Sequence, residues 1–409
     1  MDRLQKLIST VHRSVLNLKG SLMQFEFDAV GQAIQEAARR FADEKLLPYY
    51  QSREAVDHFD RDLLKEMGDL GLVAPDLPEE YGGIGASGLT QGAVIEEIGR
   101  GDLNIAYIQL LGSLIGGVIA QFASKDLATE YLPKLAAGEL IPSLGLTEPR
   151  GGTDAANLQL RARKDGGDWI IDGEKASISC ANQADFVLVA ARTGEINEGA
   201  RGITAFLIDL NAPGVSRSNY NDLGSISVGR GSIWFDSVRV PDTRRVGDVG
   251  MGFIRVMQGF DYSRALIALQ CLGSARASID ETWSYITDRE AFGGPLAQFQ
   301  GVTFPLAEAD AQVRAARLLA YECLWLRDQG KPHTKEAAMV KWMGPKISVD
   351  AIHQCLLTHG HLGYSRDLPH QQRLRDVMGL EIGDGTAQVS KMIVARETVG
   401  RVAIQYAKK

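Results

Sequence analysis

The stretch LTEPRGGTD, Leu146 to Asp154, follows the apolar run Ile141-Pro142-Ser143-Leu144-Gly145, which reads as a short strand. Gly151 and Gly152 permit backbone conformations closed to other residues and let the chain approach a ligand closely. Thr147, Thr153 and Asp154 put hydroxyls and a carboxylate beside them. A polar, glycine-rich loop leaving a strand end suits a cofactor or a phosphate group, and it also suits an ordinary surface turn. The flanking sequence decides between the two.

Upstream, from Phe25 to about Leu140, the periodicity is helical. FDAVGQAIQEAARRFADEKLLPYY, from Phe27, carries apolar residues at three- and four-residue spacing with charges between. Asp60 and Asp62 suit the N-terminus of a helix through Met67, and residues 69–88, rich in Gly and Pro, read as loop. Helices are expected at 89–102, 104–123 and 125–137. Downstream the period changes to two. Leu158 to Arg163 alternates, Asp165-Gly166-Gly167-Asp168 supplies a turn, and Trp169 to Glu174 returns, which is a hairpin signature. Phe186 to Ala191, Ile203 to Ile208 and Ser232 to Phe235 extend a largely antiparallel set. After Gly250 long amphipathic stretches return at 251–288, 299–329, 334–360 and 369–406, enough for a four-helix bundle. The expected fold is therefore α+β and multidomain: an extension at 1–24, an all-α domain at 25–140, a middle antiparallel β domain at 141–245 and a C-terminal helical bundle at 246–409.

Composition narrows the function classes. Of 409 residues, 45% are hydrophobic and 23% charged, the balance of an ordinary soluble globular protein. A net charge of −7 gives no electrostatic reason to expect nucleic acid or an anionic membrane as partner. No run of about 18 consecutive apolar residues stands out as a membrane span. Cys180, Cys271, Cys323 and Cys355 lack ligand-like spacing, which points to reduced thiols in the cytoplasm or a similar compartment. His359 and His361 have no acidic or Cys partner at metal-ligand spacing, so no metal is expected. The basic first 24 residues lack a small-residue cleavage signature and read as an extra helix or an upstream start rather than a targeting segment.

The α, β, α order with LTEPRGGTD opening the β domain resembles the acyl-CoA dehydrogenase family, from about Phe25 to Lys409. Three further stretches carry the resemblance: PEEYGGIG (Pro78 to Gly85), REAFGGPLAQFQ (Arg289 to Gln300) and RDVMGLEIGDGTAQVSKMIVARE (Arg375 to Glu397). The resemblance implies FAD bound between the β domain and the bundle, and dehydrogenation of an acyl-CoA thioester across Cα and Cβ. A carboxylate takes the α proton while the β hydrogen leaves as hydride to the flavin. It also implies electron-transferring flavoprotein as acceptor and a homotetramer. By matching positions, the Leu146 backbone and the Thr147 hydroxyl face the flavin ring, and Thr153 touches the flavin phosphates or CoA. Ser179 stands near the flavin N5, with Ser177 beside the ring. Arg289, Phe292 and Gln300 hold the FAD of a neighbouring subunit, with Thr386 and Gln388 near its pyrophosphate or adenosine. Arg264, with Phe260 and Ser263, stands by the CoA and the active-site entrance, and Gly385 by the substrate.

The base is a glutamate in most members, just before the Gly-Thr of the C-terminal motif; here Asp384 holds that place. The alternative role for this residue is a helix N-cap. Ser263 occupies the place where some relatives carry the base instead, and Glu381 reads as a helix-face acid. An aspartate is one methylene shorter, and its reference pKa of ~3.9 makes it a weak base unless burial raises it. Ser177 stands where the family often has an aromatic on the flavin, and Leu357 where it often has Gln. Together these departures, and a similarity of GLEIGDGTAQ to cyclohexanecarboxyl-CoA dehydrogenases, point to an alicyclic acyl-CoA such as cyclohexanecarbonyl-CoA. The rivals are a short- or branched-chain acyl-CoA dehydrogenase, a flavin oxidase resembling nitroalkane oxidases, which also use aspartate, and a flavoprotein scaffold without a base.

Overall fold

The structure, a computed structural model, describes residues 27–403. The expected extension at 1–24 lies outside them. The chain opens with α1 (Ala29–Phe41), whose buried stripe is Ile34, Ala38 and Phe41. The expected helix to Tyr50 does not stay regular. It widens into a π turn at Ala42–Leu46 and tightens into a 3-10 turn at Leu47–Tyr49 before α2 (Tyr50–Arg53). Pro48 accounts for the break, because it has no N–H to donate to the preceding turn.

Helices α3 (Arg61–Asp69), α4 (Gly88–Gly101), α5 (Leu103–Phe122) and α6 (Lys125–Ala136) each start at a side-chain cap: Asp60, Ser87, Asp102 and Ser124. Such caps satisfy amide donors that have no partner inside the helix. Helix α5 is long and apolar enough to cross a bilayer, with a mean hydropathy of 1.7, yet 83% of that window is buried inside the protein. Its apolar surface is core, packed against α4, α6 and the first helix of the bundle.

The middle strands are β1 (Pro142–Gly145), β2 (Arg161–Asp165), β3 (Asp168–Ile178), β4 (Phe186–Arg192), β5 (Ile203–Asp209), β6 (Val215–Asn219), β7 (Gly231–Pro241) and β8 (Arg245–Val246). They form one sheet in the order β6-β7-β3-β2-β4-β5-β8, with β1 on β4. The expected hairpin is β2–β3, antiparallel from Arg161↔Asp172 to Asp165↔Asp168. Strand β1 runs parallel to β4, with Pro142 opposite Phe186 and Gly145 opposite Val189. Strand β6, sequence VSRSN, has no apolar alternation to reveal it and sits at the sheet edge.

The bundle is built on α7 (Gly252–Asp288), about 55 Å long at 1.5 Å per residue. A two-stranded hairpin, β9 (Glu290–Ala291) and β10 (Gly294–Pro295), leads to α8 (Gln300–Asp328) and α9 (Thr334–Thr358). The expected helical stretch 369–406 is two helices, α10 (His370–Leu380) and α11 (Ala387–Val399). Gly379, Gly383 and Gly385 favour the break, and the turn between the helices holds Asp384 and Gly385 at positive φ.

Asp376 of α10 is 1% exposed and joins the three parts of the chain. It accepts from Tyr50 Oη at 2.6 Å, from Asn104 Nδ2 at 3.0 Å and from the Ser225 N–H, in the loop before β7, at 2.6 Å. Burial pushes its carboxyl up to about 6, against the pull of those donors. Asp376→Ala strands three donors in a dry place, so we expect a loss of about 3 kcal/mol, read as a lower midpoint in urea denaturation.

A second buried polar group lies further along the bundle. His370, 1% exposed, bonds Ser278 Oγ through Nδ1 at 3.2 Å and packs 4.4 Å from the His359 ring, which stacks on Tyr285. Burial, then the adjacent Arg373 guanidinium, lowers His370 to about 3, with Glu281 acting in the opposite sense. The unfolded chain takes up a proton near pH 6.5 that the folded chain refuses until about 3. Stability should therefore fall as pH drops through that window, by about 1.4 kcal/mol per pH unit from this residue. Thermal melts between pH 7 and 4 should show a shallower decline for His370→Gln than for the wild type.

Candidate active site

The loop Leu146–Asp154 leaves β1 and is fixed from beneath by a buried ion pair. Lys175, in β3 and 0% exposed, donates from Nζ to Glu148 Oε1 at 2.8 Å and to the Leu146 carbonyl at 3.1 Å. Glu148 also accepts the N–H groups of Gln159 at 2.7 Å and Leu160 at 2.8 Å. Burial opposes the charge on both groups. For Glu148 it is overcome by Lys175 and the backbone donors, which hold the carboxyl below the usual range. Lys175 is pushed down to about 8 and stays charged at neutral pH. The loop turns with Gly151 N–H on the Glu148 carbonyl at 3.0 Å and leaves Gly151, Gly152, Thr153 and Asp154 exposed.

Across from it, β3 ends in an irregularity. Its register against β7 shifts between Lys175 and Ile178, and Ser177 takes a positive φ of 58°. Bulges of this kind re-aim a side chain. Ser177 is exposed, and its Oγ accepts from Arg230 Nη1 at 3.1 Å. Arg230 is itself held by Asp222 and lies over the Tyr220 ring. The Thr147 carbonyl accepts the Ala176 N–H at 2.9 Å, which ties this strand to the loop. Among the described residues the hydroxyls of Thr147 and Ser179 have no partner, and both residues are half-buried.

The bundle supplies the facing wall. Arg264 of α7 is 9% exposed and pairs through Nη1 with Asp261 at 2.7 Å, leaving its buried Nε without a partner. Phe260 and Ser263 do not join it. Both are buried, and the Ser263 hydroxyl donates to the Phe260 carbonyl at 3.2 Å, so the serine turns into the helix rather than toward a ligand.

Asp384 lies in the turn between α10 and α11 with φ of 54°, a conformation that aspartate tolerates better than most residues. The capping role is not its own: Thr386 caps α11, accepting the Val389 N–H at 3.4 Å. The Asp384 carboxyl makes no hydrogen bond or ion pair to the described residues, and the N–H groups of Asp384 and Gly385 likewise bond no partner there. Burial raises its pKa above the usual carboxylate range, and Lys341 and Arg264 counter that shift. Lys341 of α9, 1% exposed, reaches the turn from below, with Nζ on the Leu380 carbonyl at 2.8 Å and the Gly385 carbonyl at 3.1 Å. Glu381 is the C-terminal cap residue of α10 and Gln388 is an exposed first-turn residue of α11.

Arg289, Phe292 and Gln300 stand apart from this cluster, on and beside the β9–β10 hairpin. All three are exposed; Phe292 is 98% exposed at φ of 53°. The Arg289 side chain makes no ion pair among the described residues. Leu357, at the end of α9, is 56% exposed.

Three family models match in sequence order: acyl-CoA dehydrogenase N-terminal domain over 30–139, middle domain over 143–238 and C-terminal domain over 250–399. The short-chain specific mitochondrial acyl-CoA dehydrogenase of Bos taurus is 34% identical, over 90% of this chain and 90% of its own. The chain belongs to the acyl-CoA dehydrogenase family. Butyryl-CoA dehydrogenase from Megasphaera elsdenii shares its fold with a TM-score of 0.88 at 30% identity, covering 92% of this chain and 100% of that one. A chain in the structure of the electron-transferring flavoprotein of Acidaminococcus fermentans matches with a TM-score of 0.89 at 29% identity, over 92% and 100%.

This acyl-CoA dehydrogenase is an FAD-dependent enzyme acting on acyl-CoA, and its residues fit the flavin. Two unpartnered hydroxyls, Thr147 and Ser179, lie on strand ends that the Thr147–Ala176 bond joins, beside the open glycine loop. Sequence reasoning missed Lys341, Arg230 and the Lys175–Glu148 pair. Glu148 lies within LTEPRGGTD, but no local pattern announces its pairing or the other two residues, and the partners of Lys175 and Lys341 are 27 to 44 residues away. Lys175→Met in the dehydrogenase removes one member of a buried pair, a change that costs about 3–5 kcal/mol. We expect a purified protein with a reduced ratio of flavin to protein absorbance; a full flavin complement would show that the loop holds its shape without the pair.

Proposed function

We propose that the protein dehydrogenates an acyl-CoA thioester across Cα and Cβ with Asp384 as the base, and that its acyl group is alicyclic, as in cyclohexanecarbonyl-CoA. The observation that carries the reading is the setting of Asp384. It is a carboxyl with no partner among the described residues, raised by burial and held in a left-handed turn beside Arg264 and Lys341. A C–H bond α to a thioester is a weak acid, so a proton is lost only to a positioned base while donors draw charge onto the carbonyl oxygen. Asp384 supplies the base. The N–H groups of Asp384 and Gly385, just before the N-terminus of α11, supply donors in a field that favours negative charge. FAD, when bound, supplies the acceptor for the β hydrogen.

The alicyclic group is supported by two departures taken together. A base one methylene shorter leaves more room at the α carbon, and the small Ser177 leaves room on the sheet side. A short or branched acyl chain is the second reading, favoured by the likeness to the short-chain specific relative. For the electron acceptor we propose an electron-transferring flavoprotein. For the assembly we propose a homo-oligomer of four chains, because Phe292 is 98% exposed with only the edge of Phe299 against it, and the Arg289 side chain makes no ion pair among the described residues. Four buried free thiols support a cytoplasmic setting.

The test is anaerobic bleaching of the bound flavin by cyclohexanecarbonyl-CoA, isobutyryl-CoA, butyryl-CoA, octanoyl-CoA and a nitroalkane. Cyclohexanecarbonyl-CoA should bleach fastest in the wild type, and Asp384→Asn should slow bleaching at least 10³-fold, within the range expected for loss of a positioned base. The wild-type rate should rise with pH along a limb lying above the ordinary carboxylate range. Fastest bleaching by butyryl- or isobutyryl-CoA would transfer the assignment to the second reading, and bleaching by the nitroalkane alone would overturn both.

A further inference from the structure

The turn that carries Asp384 rests on a buried cation. Lys341 stands in the middle of α9, 1% exposed, and an ammonium so placed is costly unless its hydrogens are satisfied. Among the described residues it makes no ion pair. Its two hydrogen bonds go to main-chain carbonyls: Leu380, the last residue of α10, at 2.8 Å, and Gly385, immediately after Asp384, at 3.1 Å. These two carbonyls bracket the turn 381–384.

Within that turn the early residues are held by their own helix. Glu381, Ile382 and Gly383 donate to the carbonyls of Met378 and Gly379. Asp384 and Gly385 lack any such bond. They are flanked by Gly383, and both sit at positive φ, 54° and 101°. The side chain of Thr386 fixes the start of α11 but does not reach back to Asp384. The Lys341–Gly385 bond is therefore the one side-chain tie that the described residues give this last part of the turn.

We infer that Lys341 is a positioning residue for the reaction: its ammonium clamps the turn so that the Asp384 carboxylate is presented at one height. Its charge, with that of Arg264, favours the ionised carboxylate. The inference rests on the reading of Asp384 as the base. The clamp and the charge are separable. Lys341→Gln keeps a hydrogen-bond donor for the carbonyls and removes the charge; Lys341→Arg keeps the charge on a planar fork that does not match the reach of a flexible ammonium.

Stopped-flow bleaching of the flavin in the holoenzyme by the best thioester, measured from pH 5.5 to 9, reads both. For Lys341→Gln the acid limb should move up by about one pH unit. For Lys341→Arg the limb should stay in place while the limiting rate falls by about 10²-fold, the cost of a misplacement near 1 Å. In both, flavin content and the thioester concentration at half-saturation should stay near wild type, which a merely structural lysine would not require. Wild-type limbs and limiting rates in both variants would overturn the inference. If Lys341→Gln does not yield folded holoenzyme, Lys341→Arg decides alone: a wild-type limiting rate overturns it. Asp384→Asn in the same series keeps the two failures apart, because a variant that still bleaches at the wild-type rate removes the base assignment itself.

Discussion

One buried carboxylate holds the three parts of this chain in register. Asp376 takes a phenol from the N-terminal helices, an amide from the start of α5 and a backbone N–H from the loop that precedes β7. A carboxylate accepts but cannot donate when ionised, so three converging donors satisfy it, and any relative shift of the parts leaves one of them unpaired. The same helix, α10, then runs directly into the turn that carries Asp384. The contact that aligns the domains thus lies eight residues before the proposed base, on the helix that leads into it. Arg375, next to Asp376, adds pairings with Glu54 and with the Leu223 carbonyl, again joining α10 to the N-terminal helices and to the sheet domain.

The two walls of the site are held by the same device. On the sheet side a buried lysine ties a loop carbonyl and a glutamate; on the bundle side a buried lysine ties the carbonyls that flank an aspartate. In each case the functional segment is rich in glycine and free to take conformations other residues avoid, and the ammonium below removes that freedom. Glycine lets the backbone reach the geometry, and the lysine selects it. The two cations differ in what lies near them without a partner among the described residues: hydroxyls beside the loop that Lys175 holds, and a carboxyl in the turn that Lys341 holds.

Much of this was legible in the sequence wherever the signal is local. The change of period at Ile141 and again after Gly250, the hairpin at Asp165–Asp168 and the loop LTEPRGGTD follow from spacing and turn chemistry within a few residues. What was not legible depends on partners brought together by the fold. Strand β6 has no alternation because it lies at an edge, and the stretch 369–406 reads as one helix because its flanks keep the period across the break. Lys341 looks like any lysine of an amphipathic helix, and only its two carbonyl partners distinguish it. The turn of the Ser263 hydroxyl back to the Phe260 carbonyl is likewise visible only in the fold.

The shortened base and the clamp belong together. A glutamate has three side-chain torsions with which to find a substrate, and an aspartate has two, so less of its placement can be adjusted by the side chain and more must be set by the backbone. In a turn of several glycines that backbone would be loose by default. A left-handed aspartate pinned at the next carbonyl gives up conformational freedom before the substrate arrives, which lowers what ordering costs in the transition state. On the sheet side Ser177, exposed and bulged at positive φ, is likewise placed by the main chain rather than by its own torsions.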